Sequence, residues 1–87
     1  MEVSLLVADD DELLRNLVIE VLEEQEFVVY QASDGEEALD IFWEHSELSL
    51  VILDVMMPKM DGIAVLDEIR KLSLIHISEP TRLALIS

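Results

Sequence analysis

Cysteine is absent from this chain, and basic side chains are scarce: five Lys and Arg stand against 20 Asp and Glu. The first absence excludes disulfides and fits a reducing compartment. The second leaves a formal net charge of −15 and a pI near 4.1, which argues against nucleic acid as a partner of this segment, because phosphates would be repelled. No apolar run approaches the roughly 18 residues needed to cross a bilayer, so no membrane helix is expected despite a mean hydropathy of +0.37. The opening Met1-Glu2-Val3 lacks the basic stretch of a secretory signal, and a cytoplasmic location follows as the expectation. Glycine occurs only twice, each time directly after Asp, at positions 35 and 62. With 87 residues the chain can form one small domain with little core to spare. Most of the acidic residues read as a solvated surface. The rest suit a domain that gathers carboxylates around a cation.

Taken in order, apolar strands alternate with amphipathic helices. Val3 to Ala8 (VSLLVA) reads as a strand closed by Asp9-Asp10-Asp11. From Asp11 or Glu12 to about Glu24, the residues Leu14, Leu17, Val18, Val21 and Leu22 fall at helical spacing, with acids at the positive end of the helix dipole. Phe27 to Ala32 is β-branched and aromatic, hence a second strand. Ser33-Asp34-Gly35 caps a second helix from Glu36 to about Glu44, with Ala38, Leu39 and Phe42 on one face. Leu50 to Leu53 is apolar on both faces, the pattern of a doubly covered parallel strand, and Asp54 marks its end. Asp61-Gly62 turns into a third helix reaching about Lys71.

Right-handed crossovers with the first strand central place the second and third strands on either side of it. The carboxyl ends of the first and third strands then meet at a topological switch point, where ligands bind in open α/β sheets. Asp9, Asp10 and Asp54 should converge there. Like charges so close raise one another's pKa and need a positive partner. A hard cation with oxygen ligands fits, Mg²⁺ above all. Asp11 reads as a helix cap only.

Three blocks carry a family resemblance: LVADDDELLR, ASDGEEAL and LVILDVMMPKMDGIAVLDEIR, spread over Val3 to Lys71. Together they resemble the receiver domain of two-component response regulators, a flavodoxin-like α/β fold with a parallel sheet and helices on both faces. The resemblance implies that Asp54 takes a phosphoryl group from a sensor histidine kinase or a phosphotransfer protein, and so is an acceptor rather than an enzyme's active site. It implies Mg²⁺ held by Asp9, Asp10, Asp54 and the backbone carbonyl of Met56. The side chains of Met56, Met57 and Met60 are expected to serve loop packing only.

After Lys71 the pattern departs from that family, leaving three of its five β-α units. A complete receiver continues with a strand ending in Ser or Thr and another ending in Lys, both of which contact the phosphoryl group. Here Leu72 to Arg82, LSLIHISEPTR, looks like a conceptual translation of a transposon-type sequencing adapter, so residues 72–87 are expected to be a non-native tail behind a receiver portion at 1–71. Leu72 and Ser73 could belong to either. The alternative makes Leu74 to Ile77 a short fourth strand with Ser78 in the hydroxyl position. With the tail discounted, the third strand is an exposed apolar edge open to self-association, and the fragment should be weakly stable and impaired in signalling. No role is assigned to His76 or Thr81, and His45 is expected at a helix end facing the dipole or solvent. Two rival functions are a pseudo-receiver that never takes phosphate and a haloacid-dehalogenase-type phosphatase using Asp9-x-Asp11. The second lacks the Thr expected at Leu13.

Overall fold

The structure, a computed structural model, describes residues 3–73 and 82–86. Strands and helices alternate along the chain: β1 (Ser4–Ala8), α1 (Glu12–Glu24), β2 (Val28–Ala32), α2 (Gly35–Glu44), β3 (Leu48–Asp54), α3 (Gly62–Ser73) and β4 (Arg82–Ile86). The strands form one parallel sheet in the order β2-β1-β3-β4. The expected order of the first three strands and the flavodoxin-like α/β architecture are therefore both present.

Each helix starts on an aspartate, and the reason is local. Asp11 accepts the N–H groups of Leu13 (3.0 Å) and Leu14 (3.3 Å), Asp34 that of Glu37 (2.8 Å), and Asp61 that of Ala64 (2.8 Å). The short carboxylate satisfies amides that have no partner inside the helix, and its charge suits the positive helix end. Glu37 reaches back to the N–H of Ser33 at 3.1 Å, closing the turn before α2. At the far end of α2, His45 stacks on Tyr30 of β2, with ring centroids 4.0 Å apart, and its Nδ1 lies 3.4 Å from Glu47. His45 thus packs against the sheet as well as ending the helix.

The core is uneven between the two faces of the sheet. Leu6, Ala8, Ala32, Val51 and Leu53 meet Ala38, Val65 and Ile69, and Phe42 and Leu66 pack around them. These residues bring α2 and α3 together on one face. α1 touches β1 and β2 without packing on α2, and so covers the opposite face, where Leu5, Val7 and Ile19 are buried. Leu50 and Ile52, register partners of Leu5 and Val7, stay half-buried. Consequently the apolar stripe expected on α1 is only partly covered: Leu13, Leu14, Leu17 and Val21 are 77%, 53%, 59% and 61% exposed.

One expectation about the C-terminal part changes. The third strand is not an open edge, because Arg82–Ile86 pairs with Leu50–Asp54 in parallel along its whole length. An apolar strand end exposes unpaired N–H and C=O groups, and a short apolar segment of the same chain satisfies them. Part of the segment set aside as a tail is therefore built into the sheet, and α3 runs on to Ser73. The alternative fourth strand at Leu74–Ile77, with Ser78, lies outside the described residues, as do His76 and Thr81.

Leu53 is fully buried one residue before Asp54. Leu53→Ala is expected to cost about 3 kcal/mol, within the usual range for emptying such a site. Leu13→Ala, on the exposed side of α1, should change stability by less than about 0.5 kcal/mol. Urea unfolding of the two variants measures the difference, and equal midpoints would contradict this assignment of the core.

Candidate functional site

The site is built where β1 and β3 end side by side. Ala8 is the register partner of Leu53, so the next residues, Asp9 and Asp54, emerge as neighbours at the carboxyl edge of the sheet. Asp10 follows Asp9 in the turn to α1. Each of the three carboxylates offers an oxygen within 4.8 Å of the others. Burial falls across the group: Asp9 is 4% exposed, Asp54 half-buried and Asp10 exposed. Beside them an open cleft of about 410 Å³ is lined by Asp10, Val55, Met56, Met57, Pro58 and Asp61.

Backbone amides hold two of the carboxylates in place. Asp9 Oδ1 accepts the N–H of Asp11 at 2.9 Å, and Asp54 Oδ1 accepts the N–H of Met56 at 3.1 Å. Asp9 extends the sheet by donating its own N–H to the carbonyl of Ala32 at 3.1 Å. Its carbonyl in turn receives Arg15 Nη1 at 2.7 Å, while Arg15 Nε reaches Gln31 Oε1 at 3.0 Å. Arg15 therefore ties α1 to the ends of β1 and β2 and fixes the first acidic loop. Its one clue in the sequence is a lone basic residue in the first turns of an otherwise acidic helix.

The electrostatics call for a cation. Burial pushes the Asp9 carboxyl above its ordinary range, and the neighbouring Asp54 and Asp11 carboxylates push it further, against the opposing hydrogen bond from the Asp11 amide. Among the described residues no Lys or Arg forms an ion pair with Asp9, Asp10 or Asp54. A set of hard oxygen donors with an unbalanced negative charge fits Mg²⁺ in kind, since that ion takes oxygen ligands and fills its remaining positions with other oxygens.

Of the expected site residues, Asp9, Asp10 and Asp54 are thus brought together. Met57 and Met60 pack against the core, but the Met56 side chain is 75% exposed and serves no packing. It projects from a loop whose backbone is turned toward Asp54. Asp11 spends its side chain on the α1 cap, which leaves the Asp9-x-Asp11 phosphatase pattern without its second acid. Besides Arg15, a second contributor has no signal in the local sequence: a Cβ at buried Gly62 would overlap the Asp54 carbonyl oxygen, so only glycine lets α3 start this close to the acid-bearing strand end.

Comparison with known proteins agrees with this geometry. The family model described as the response regulator receiver domain matches residues 5–84, running past Lys71 into the start of β4. The probable transcriptional regulator ycf27 of Cyanidium caldarium is 49% identical over 67 residues, which are 77% of this chain and 26% of that protein. The CheY of Borrelia burgdorferi, crystallised with CheX, BeF₃ and Mg²⁺, superposes with a TM-score of 0.86 at 30% identity, over 98% of this chain and 61% of that one. The receiver domain of Saccharomyces cerevisiae Ssk1, crystallised with the histidine phosphotransfer protein Ypd1, shares the fold with a TM-score of 0.85 at 20% identity, over 97% of this chain and 62% of that one. This chain thus spans about a quarter of that curated relative's length and about three fifths of each of these two solved chains. By its sheet order, by the acids at its switch point and by the family match, the chain belongs to the response regulator receiver domains.

Proposed function

We propose that Asp54 accepts a phosphoryl group from a phosphohistidine of a sensor histidine kinase or phosphotransfer protein, and that Asp9, Asp10, Asp54 and the backbone carbonyl of Met56 hold Mg²⁺ for that transfer. The observation that carries this reading is the convergence of three carboxylates, unpaired with any base among the described residues, at the switch point of a receiver fold. Asp54 is the fitting nucleophile of the three. Asp9 is buried and bonded to the Asp11 amide, and Asp10 faces solvent, whereas Asp54 is half-buried, oriented by the Met56 amide, and directly precedes Val55 in the cleft wall.

In the proposed transfer an Asp54 oxygen bonds to phosphorus as the phosphorus–nitrogen bond of the donor breaks, and the electron pair stays on the imidazole nitrogen. The chemistry a bound Mg²⁺ supplies is positive charge against the repulsion between carboxylate and phosphoryl oxygens. Asp54 acts as an acceptor within a signalling relay in the cytoplasm. The chain does not turn over a separate substrate. The departure of the sequence from the receiver pattern after Lys71 supports impaired transfer in this chain and residues 72–87 as a non-native continuation.

A surface for the phosphoryl donor lies next to the site. Leu13, Leu14 and Leu17 are exposed on the first turns of α1, directly after the acidic loop, and Val21 continues the strip. An apolar patch this close to the acceptor suits a helical partner that presents its histidine to the cleft.

Three outcomes are expected. Asp54→Asn should abolish labelling by acetyl phosphate in the presence of Mg²⁺, and undiminished labelling would reject Asp54 as the acceptor. Leu14→Asp with Leu17→Asp should slow transfer from a phosphohistidine donor while leaving acetyl phosphate labelling unchanged; equal slowing of both would remove the docking role. The third outcome concerns pH. Because Asp9 holds its proton more tightly folded than unfolded, its contribution to stability is greatest below its ordinary value of 3.8 and is lost as pH rises through the raised folded value. A bound cation favours the ionised form, so the rise in Tm on adding Mg²⁺ should be larger at neutral pH than near pH 4.5. A shift that does not depend on pH would speak against Asp9 as a ligand.

A further inference from the structure

We infer that the N-terminus of α2 is the positioning element for the loop that carries Met56, with Gly35 and the Asp34–Lys59 pair as its working parts. This rests on the reading of that loop as one wall of the Mg²⁺ site. The loop leaves β3 at Asp54 and enters α3 at Gly62. At one end the Met56 N–H donates to Asp54 Oδ1 at 3.1 Å. At the other, the Met60 N–H donates to the Pro58 carbonyl at 2.7 Å, and Lys59 sits between them in the left-handed region at φ 66°. A tight turn therefore points the Met60 carbonyl outward from the loop.

That carbonyl is received by α2. Gly35, the first residue of the helix, is buried, and a Cβ placed on it would overlap the Met60 carbonyl oxygen and stand 2.7 Å from both its carbonyl carbon and its Cβ. Lys59 Nζ lies 3.6 Å from Asp34 Oδ2, while Asp34 Oδ1 caps α2 through the Glu37 amide. One aspartate thus starts the helix and holds the loop.

Magnitudes rank the two contacts. Lys59 is 61% exposed, and an ion pair of that kind contributes under about 1 kcal/mol. Backbone against backbone at Gly35 leaves no flexible side chain to move aside, so an added methyl must shift the loop or the helix. The steric contact is the stronger control, and the ion pair sets its angle. Because Met56 is only four residues before Met60, a displacement at Met60 reaches the proposed ligand directly.

The test uses the full chain and two readouts: the Mg²⁺ dissociation constant, from amide shifts during titration with MgCl₂, and hydrogen exchange of the Met56, Met60 and Asp11 amides without Mg²⁺. Gly35→Ala is expected to weaken Mg²⁺ binding about fivefold or more, as for a modest coupling between contacts. It should also speed exchange at Met56 and Met60 while leaving Asp11 as it was. Lys59→Met should do the same to a smaller degree, and Lys59→Arg should restore both values. If Gly35→Ala does not fold, Asp34→Asn decides, since the amide keeps the cap but removes the charge facing Lys59. Faster exchange at Met56 with no Mg²⁺ response even in the unaltered chain would support the positioning role and reject the metal reading. Unaltered exchange and Mg²⁺ binding in these variants would overturn the inference.

Discussion

Everything in this molecule depends on the parallel pairing of β1 with β3. Those strands end at the same level because Ala8 lies opposite Leu53, and the chain leaves both strands through carboxylates. The pairing is enforced by burial. β1 is buried at every residue, and the inward side chains of β3, Val51 and Leu53, are fully inaccessible. Slipping the register by one residue would turn those side chains to the wrong face, so the hydrophobic effect also fixes where the charges meet. The sheet is stabilised by its apolar core and accepts a cluster of like charges at its edge as a result.

That cluster needs scaffolding, and two loops supply it. The first is held by Arg15 on the Asp9 carbonyl and by the Asp11 amide on the Asp9 carboxylate. The second, from Asp54 to Gly62, is gripped at both ends by the chain's only two glycines. Gly62 lets α3 begin against the Asp54 carbonyl, and Gly35 lets α2 begin against the Met60 carbonyl. Both glycines serve close backbone approach. Neither has the positive φ that elsewhere favours this residue, and the chain places Glu26 and Lys59 in that region instead.

The two sides of the sheet differ in how completely they are closed. Where α2 and α3 pack together, aromatic and aliphatic side chains fill the space over Leu6, Val51 and Leu53. Where α1 stands by itself, Ile19 is its one buried residue, and a row of leucines remains in contact with water. That apolar strip begins directly after the acidic loop that carries Asp9 and Asp10. The fold thus combines a well-packed face beneath α2 and α3 with a more open one beside α1.

Much of this was legible in the sequence because it is written locally. Strand and helix alternate with the right periodicities, each helix has its aspartate cap, and Asp54 stands where an unbroken apolar run stops. The convergence of Asp9, Asp10 and Asp54 followed from those ends and the right-handedness of crossovers. What no local pattern could show are contacts between segments far apart in the chain: Arg15 on a strand-end carbonyl, Lys59 facing Asp34, a glycine admitting a carbonyl from another loop. β4 belongs with them. RLALI is a short apolar run without alternation, and only the unpaired edge of β3 gives it a place in the sheet. The sequence by itself determined the elements and the chemistry at their ends, since caps, periodicity and charge act over a few residues. The tertiary structure alone decided how the loops are braced and which edge is covered, since steric fit and strand pairing exist only once distant segments meet.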